Sequence, residues 1–380
     1  MSVEGEIGVQ LLWDGRRVQR VTVRSTRPPA AARIAVGRRP AEAAALVPTL
    51  FAICGHAQAA AATAALRAAG ARERMPDVSA WSVPLEAVQD TFWRLLIDTP
   101  RVLGLDAQTV AVATARALVA RAVASLRSAR ERSRHVLENT AVAMGALARD
   151  EVYGRDPSAW LAETDLAAFD AWRDEQPTLP ARALALLVQS APGLGRSDTA
   201  LMPDLDDDRW QADVVPALRG DAAFAQAPTW AGMPVETGAL SRTRAQPLVA
   251  ALLARDGRSA ATRIAARLVE LAQLLQALRD GAADPSAWLR SWSLEPGVGL
   301  AAVQTARGLL LHCTRIGADR IDDYRIVAPT EWNFHPDGAL ARGLAGAEAD
   351  DEAVLRAHAG VAVLALDPCV GFAVEVTRHA

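Results

Sequence analysis

The sequence predicts an α+β fold, a mainly helical body carrying β-hairpins and strands at its N- and C-terminal ends. Three observations carry this expectation. Residues 6–24 alternate apolar and polar positions around Asp14-Gly15, residues 41–290 are dominated by apolar positions at helix spacing, and strand patterning returns after residue 300. The chain is expected to form a single domain over 1–380: an N-terminal hairpin and connection in 1–40, a helical body in 41–290, and C-terminal strands with a closing motif in 300–380.

In the first segment Ile7, Val9 and Leu11 are followed by Asp14-Gly15 and then by Val18, Val21 and Val23. Asp-Gly favours positive backbone angles between β-rich flanks, the signature of a hairpin. Pro28, Pro29 and Pro40 mark an irregular connection. Ala43, Leu46 and Leu50 then recur at helix spacing with Pro48 as a kink or end, and Ala57 to Ala69 is a strong helix former stopped by Gly70. Further helices are expected over 84–97, as one long element over 106–147, and over 157–172 and 180–189. The charged patch from Arg127 to Arg134 should face solvent. Residues 191–244, with several Pro and Gly and the acidic run Asp204 to Asp208, read as loop. A helix pair follows at 247–255 and 259–278, the second with Ile264, Leu268, Leu271, Leu275 and Leu278 in one core-facing stripe. Residues 308–314 and 321–327 form a second hairpin around Gly317-Ala318-Asp319; residues 338–359 read as helix, and Val361 to Leu366 as a short buried strand.

Composition excludes several classes. A net charge of −3 over 380 residues supplies no basic face for nucleic acid. No lysine occurs, and the arginine and alanine richness is the mark of a GC-rich coding bias. The N-terminus lacks a signal-peptide pattern, and no window of about 18 uncharged apolar residues spans a membrane. Three cysteines without framework spacing suit a reducing compartment, so a cytoplasmic protein is expected.

Two of those cysteines hold the chemical interest. Cys54 directly precedes a helix, whose positive end is expected to lower the thiol pKa, and His56 adds a ligand nitrogen or proton carrier. Cys369 follows Asp367-Pro368, where proline fixes the turn and Asp367 can accept from backbone N–H groups or an arginine. Two readings stand beside each other: buried small hydrophobes, or two thiolates that hold a soft metal fragment with incomplete coordination. Cys313 reads as packing, and His312 and Trp332-Asn333 as structural.

Five segments, in order, resemble the large subunit of nickel–iron hydrogenases. Glu4-Gly5-Glu6-Ile7 is similar to that family's E-G-H-L, Ile53-Cys54-Gly55 to R-I-C-G-V-C-x-x-x-H, and Thr305 to His312 to E-A-P-R-G-x-L-x-H. Tyr324 to Asn333 resembles Y-x-x-V-x-P-T-x-W-N, and Asp367-Pro368-Cys369 the terminal D-P-C-x-x-C-x-x-H. The departures matter as much. The second cysteine of each pair is replaced by Ala57 and Phe372, the motif histidines by Ala61 and Glu375, and the motif arginine by Ala52. The family's proton-transfer glutamate has no counterpart among Arg27 to Arg33.

One cysteine kept from each pair resembles the HupK/HoxV accessory proteins of hydrogenase assembly. The resemblance implies a hydrogenase-large-subunit-like fold and a non-catalytic scaffold that transiently carries iron as the Fe(CN)2(CO) fragment, without nickel. Cys54 and Cys369 would be its metal residues, His56 a further ligand or proton carrier, and Arg307 with Asp367 as ion-pair partner the pocket for the diatomic ligands. Implied partners are the HypC–HypD complex and the hydrogenase large subunit precursor, with neither nucleic acid nor membrane. The retained cysteines match nickel-binding positions, so the fragment sits displaced, or His56 takes part, or the thiols act only in transfer. Alternatives are a degenerate hydrogenase-like subunit with redox activity and a metal-free paralogue that binds partner proteins.

Overall fold

A computed structural model describes residues 5–51, 53–128, 133–204, 209–221, 223–281 and 284–378. The N-terminal hairpin is β1 (Glu6–Trp13) and β2 (Val18–Ser25), with Ile7, Val9, Leu11 and Trp13 buried on one face and Gly15 at φ +97° in the turn. Its outer partner is the last strand of the chain. Strand β1 pairs in parallel with Gly371–Arg378, from Glu6 opposite Gly371 to Trp13 opposite Arg378. The first and last strands of the described residues therefore share one sheet.

The helical body begins with Pro40–Leu46 and a 3₁₀ turn at Val47–Leu50, followed by α1 (Gly55–Ala68) and α2 (Ser82–Trp93), which runs on through a π-turn at Arg94–Asp98. The expected long element is two helices, α3 (Thr109–Ser128) and α4 (Ser133–Ala148), packed on one another. Residues 129–132 of the charged patch lie outside the described residues. An 18-residue stretch of α3, Thr109–Leu126, is long and apolar enough to cross a membrane by length and composition. It carries Arg116 and Arg121, and α3 packs on α2 and α4. Residues 191–244 hold more structure than expected: a helix at Arg209–Gly220, a short one at Ala239–Thr243, and a two-residue parallel pairing of Ala200–Leu201 with Val235–Glu236. Residues 205–208, which include Asp206, Asp207 and Asp208 of the acidic run, lie outside the described residues. Helix α5 (Ala260–Arg279) is the centre of the body. The expected Leu/Ile stripe is buried, and so are Arg263, Arg267 and Glu270 on its other sides.

After α5 the chain forms a four-stranded antiparallel meander, β3 (Leu289–Glu295), β4 (Val298–Thr305), β5 (Gly308–Gly317) and β6 (Arg320–Val327). Only its second half was expected as a hairpin; β3 and β4 add to it around Pro296-Gly297. Helix α1 lies on β4 and β5, and its alanines allow close approach. A Cβ on Gly299 would come within 2.0 Å of the Ala65 carbonyl oxygen, so only glycine fits there.

The segment 361–366 is helix, not strand: α6 runs from Glu352 to Ala365, capped by the Asp351 side chain on the N–H groups of Ala353 and Val354. A short apolar run does not by itself separate a buried helix turn from a strand, and the cap upstream decides it. The true last strand is β7 (Gly371–Arg378), whose alternating pattern serves the sheet with β1. The α+β expectation of a helical body with strands at both ends holds.

Candidate functional site

Four segments distant in sequence converge on the two cysteines. Cys54 is the N-cap residue of α1, Arg307 sits in the β4–β5 turn, and Asp367-Pro368-Cys369 link α6 to β7. Because β7 pairs with β1 from Gly371 onward, Cys369 is set beside Arg27, which follows β2. Both thiols are buried, at 6% exposure each, and each is within electrostatic reach of the other and of Arg27 and Arg307.

Cys369 Sγ accepts a hydrogen bond from Arg27 Nη2 at 3.0 Å and lies 2.9 Å from Thr330 Oγ1, which also accepts the Cys369 N–H at 3.1 Å. Cys54 Sγ is 3.7 Å from Gln58 Nε2. The expectation of a lowered Cys54 pKa fails. Burial pushes this thiol far up, and the neighbouring Cys369 and Glu86 add to the rise against a smaller pull from Arg307 and Gln58. The cost of charging a desolvated thiol exceeds what the helix end can contribute.

Glu86 explains part of the local order. Its carboxyl accepts the N–H groups of His56 and Ala57, both at 2.9 Å, and so occupies the first turn of α1. Burial, helped by Asp90, pushes its pKa up to about 8 against those hydrogen bonds. His56 itself is half-buried at the start of α1.

Asp367 is the hub of the charges. It receives Arg94 Nη2 at 2.6 Å and Nε at 2.8 Å, with Arg267 Nε at 3.4 Å and Arg307 Nε at 3.5 Å. Burial would raise this carboxyl, but the three guanidinium groups overcome it and hold the pKa at about 2. Its φ of +59° is the left-handed conformation that helix ends usually give to glycine. Asparagine and aspartate tolerate it best, at a cost of about 1 kcal/mol, and here the cost places a carboxylate among three arginines. The expected Arg307–Asp367 contact is therefore present but is not the main one: the closer partner of Arg307 is Asp90, at 2.5 Å, and that of Asp367 is Arg94. Asn333 locks the same corner, donating to the carbonyls of Arg307 at 3.2 Å and Leu366 at 3.1 Å while accepting the Thr237 N–H at 2.8 Å.

Sequence reasoning missed Arg27, Glu331, Glu86, Asp90 and Arg94. The last three had a signal, since they recur every four residues along a helix whose other positions are mostly apolar, a stripe that α2 turns inward. Glu331, 3.2 Å from Arg27 Nε, is pushed by burial up to about 7 against the pull of Arg27 and Ser25. The positions matching the lost family ligands are ordinary: Ala57 and Ala61 are fully buried, Phe372 is half-buried on β7, and Glu375 is exposed and accepts from Gln10. Glu4 of the opening motif and Ala52 lie outside the described residues. A cleft of about 540 Å³ reaches Asp90, Arg307 and Pro368 and is lined also by the exposed Ile53 and Trp93 and by Phe372.

Two further facts bear on metal chemistry. Among the described residues no group of three or more His, Cys, Asp or Glu is placed to hold a metal ion, so two thiols alone would leave it undersupplied. Conversely, Arg27 Nη1 and Arg267 Nη1 are buried without a hydrogen-bond acceptor, and Arg27 Nε and Arg307 Nε have only a carboxylate at ion-pair distance, 3.2 and 3.5 Å away. A fragment that brings its own anionic acceptor ligands answers both conditions; a bare cation answers neither.

A family model described as nickel-dependent hydrogenase matches residues 207–374. The fold is similar to the Ni-Fe-Se hydrogenase of D. vulgaris Hildenborough, with a TM-score of 0.56 and 16% identity over 93% of each chain. It is likewise similar to a NAD+-reducing NiFe hydrogenase, with a TM-score of 0.53 and 20% identity over 94% of this chain and 93% of that one. At such identities the likeness speaks for the fold alone. Along the whole chain, the hydrogenase expression/formation protein HoxV of Cupriavidus necator is 32% identical, covering 92% of this chain and 91% of that protein. HupK of Rhizobium leguminosarum bv. viciae is 31% identical over 99% and 98%, and HupK of Azotobacter vinelandii 29% over 98% and 99%. With this full-length similarity and the hydrogenase-like fold, the chain belongs to the HupK/HoxV family of hydrogenase expression/formation proteins.

Proposed function

We propose that this protein acts in hydrogenase maturation as a non-catalytic carrier of an iron fragment already bearing cyanide and carbonyl ligands. Cys54 and Cys369 supply two sulfur ligands, and Arg307 donates to the diatomic ligands from a position braced by Asp90 and, through Asp367, by Arg94. The observation that carries this reading is the mismatch within the pocket: too few protein ligands for a bare ion, and buried guanidinium N–H groups, Arg27 Nη1 and Arg267 Nη1, with no protein acceptor. Ala57 and Phe372, where bridging thiolates would stand in a hydrogenase, leave nothing to trap a second metal, which favours release over retention. The fragment would come from a HypC–HypD complex and pass to the hydrogenase large subunit precursor, in the cytoplasm.

The test is metal content together with complementation. Protein isolated without oxygen from a hydrogenase-producing host should hold iron and no nickel. Cys54→Ala and Cys369→Ala should each lose the iron and fail to restore hydrogenase activity to a strain lacking the gene. Nickel in stoichiometric amount would instead support the redox-active alternative, and full complementation by both cysteine variants would support the metal-free one.

A further inference from the structure

The Arg27 guanidinium is held on three sides. Its Nη2 donates to Cys369 Sγ at 3.0 Å, its Nε lies 3.2 Å from Glu331 Oε1, and its plane sits over Phe51 with 5.4 Å to the ring centroid. Burial pulls its pKa down, but Cys369, Glu331 and Cys54 outweigh that and leave it raised, so it stays charged. Even so, Nε has only the Glu331 carboxylate at ion-pair distance, and Nη1 has no acceptor at all. Among the described residues Arg27 is the one side chain with two buried polar atoms outside any hydrogen bond, and its Nη1 has no ion-pair partner either. If its purpose were only to neutralise Cys369 and Glu331, a lysine-like point charge would serve and no donors would be wasted. Native folds rarely leave such donors without reason. A cavity of about 120 Å³ is lined by Arg27 together with Phe51 and Glu331, with neither Arg307 nor either cysteine in its wall.

We propose that Arg27 is a cargo-recognition residue. It reaches the acceptor ligands of the metal fragment from the Cys369 side while Arg307 serves the Asp90 side, and the two guanidinium groups together select an anion-bearing fragment against bare divalent cations. This rests on the carrier reading above. Two fixed positive charges beside two sulfurs repel a naked Fe(II) or Zn(II) ion, which the thiols alone would attract. The same charges attract a fragment whose cyanide-type ligands place negative charge and lone pairs where the unpaired donors are. Arginine suits the task because its planar fork can keep one arm on the sulfur and Nε beside Glu331 while Nη1 is presented to the ligand.

The experiment compares wild type, Arg27→Lys and Arg27→Gln, each isolated anaerobically from a hydrogenase-producing host, by infrared spectrum, iron content and thermal midpoint. The apoproteins are also titrated with Zn(II). For Arg27→Gln the expectation is a loss of bound fragment of roughly tenfold, the worth of one charge-assisted hydrogen bond, at an unchanged thermal midpoint. Arg27→Lys should retain part of the fragment, with cyanide stretches displaced more than the carbonyl stretch. Zn(II) should bind the Arg27→Gln apoprotein roughly tenfold more tightly than wild type. Wild-type occupancy, wild-type bands and unaltered Zn(II) affinity in Arg27→Gln would overturn the assignment while leaving the carrier reading in place. Wild-type protein without cyanide or carbonyl bands would overturn both.

Discussion

Two buried polar clusters meet at Gln58 of α1, and they are built on opposite terms. In one, His312 is fully buried on β5, with Nδ1 2.8 Å from the Tyr324 hydroxyl and Nε2 2.9 Å from Gln58 Oε1. Both ring nitrogens have a partner. The other, the cysteine pocket, holds Arg27, Arg94, Arg267 and Arg307 around Asp90, Asp367 and Glu331, and four guanidinium nitrogens there make no hydrogen bond, Arg27 Nη1 and Arg267 Nη1 having no ion-pair partner either. Gln58 joins the two, its carbonyl accepting from His312 Nε2 and its amide donating to Cys54 Sγ. A closed network specifies a fold; an open one of the same burial anticipates a ligand. Chemical type does not separate them, since both contain residues common at active sites.

The contrast breaks most visibly at Asp367. Asp367→Asn removes the carboxylate shared by Arg94, Arg267 and Arg307 and should cost about 3–5 kcal/mol in urea unfolding, as expected for an uncompensated buried ion pair. The His312 cluster should report through pH instead. Burial holds its folded pKa at about 3 against an ordinary 6.5, so between those values the unfolded chain binds a proton that the folded chain refuses. Stability then falls as the pH drops, by about 2 kcal/mol between pH 6.5 and 5, and His312→Gln should remove that slope. Tyr324→Phe leaves Nδ1 of His312 unpaired and should cost about 1–2 kcal/mol. Arg27→Gln should change stability by less than about 1 kcal/mol, because Cys369 Sγ keeps Thr330 as a partner, Glu331 can take up a proton, and Nη1 had no acceptor to lose. If Arg27→Gln proved as costly as Tyr324→Phe, the distinction between an open and a closed network would lose its basis.

Much of this architecture was legible in the chain, and unevenly. The hairpin around Asp14-Gly15 and the helix after Cys54 are local, written in turn chemistry and periodicity. The nearness of Cys54, Arg307 and Cys369 was legible only through the resemblance of separated motifs. What escaped was non-local. Strand β7 makes sense only beside β1, at the far end of the chain, and without that pairing the apolar end of α6 was mistaken for a strand. Arg27 carried no signal at all, because a lone arginine beside two prolines gives no hint that the sheet will press it against Cys369. The Cys54 pKa was misjudged for a related reason, since the helix end was readable and the depth of burial was not.

The central claim is that Cys54 and Cys369 together hold an iron fragment that brings its own ligands. Infrared spectroscopy of anaerobically isolated wild type, Cys54→Ala, Cys369→Ala and Cys313→Ala tests it most directly, with Cys313 as the thiol buried in the apolar cluster behind the meander. Cyanide and carbonyl stretches should be present in wild type and Cys313→Ala and absent from the other two. A wild-type spectrum free of those bands in iron-containing protein, or bands that persist in Cys54→Ala and Cys369→Ala, would contradict it.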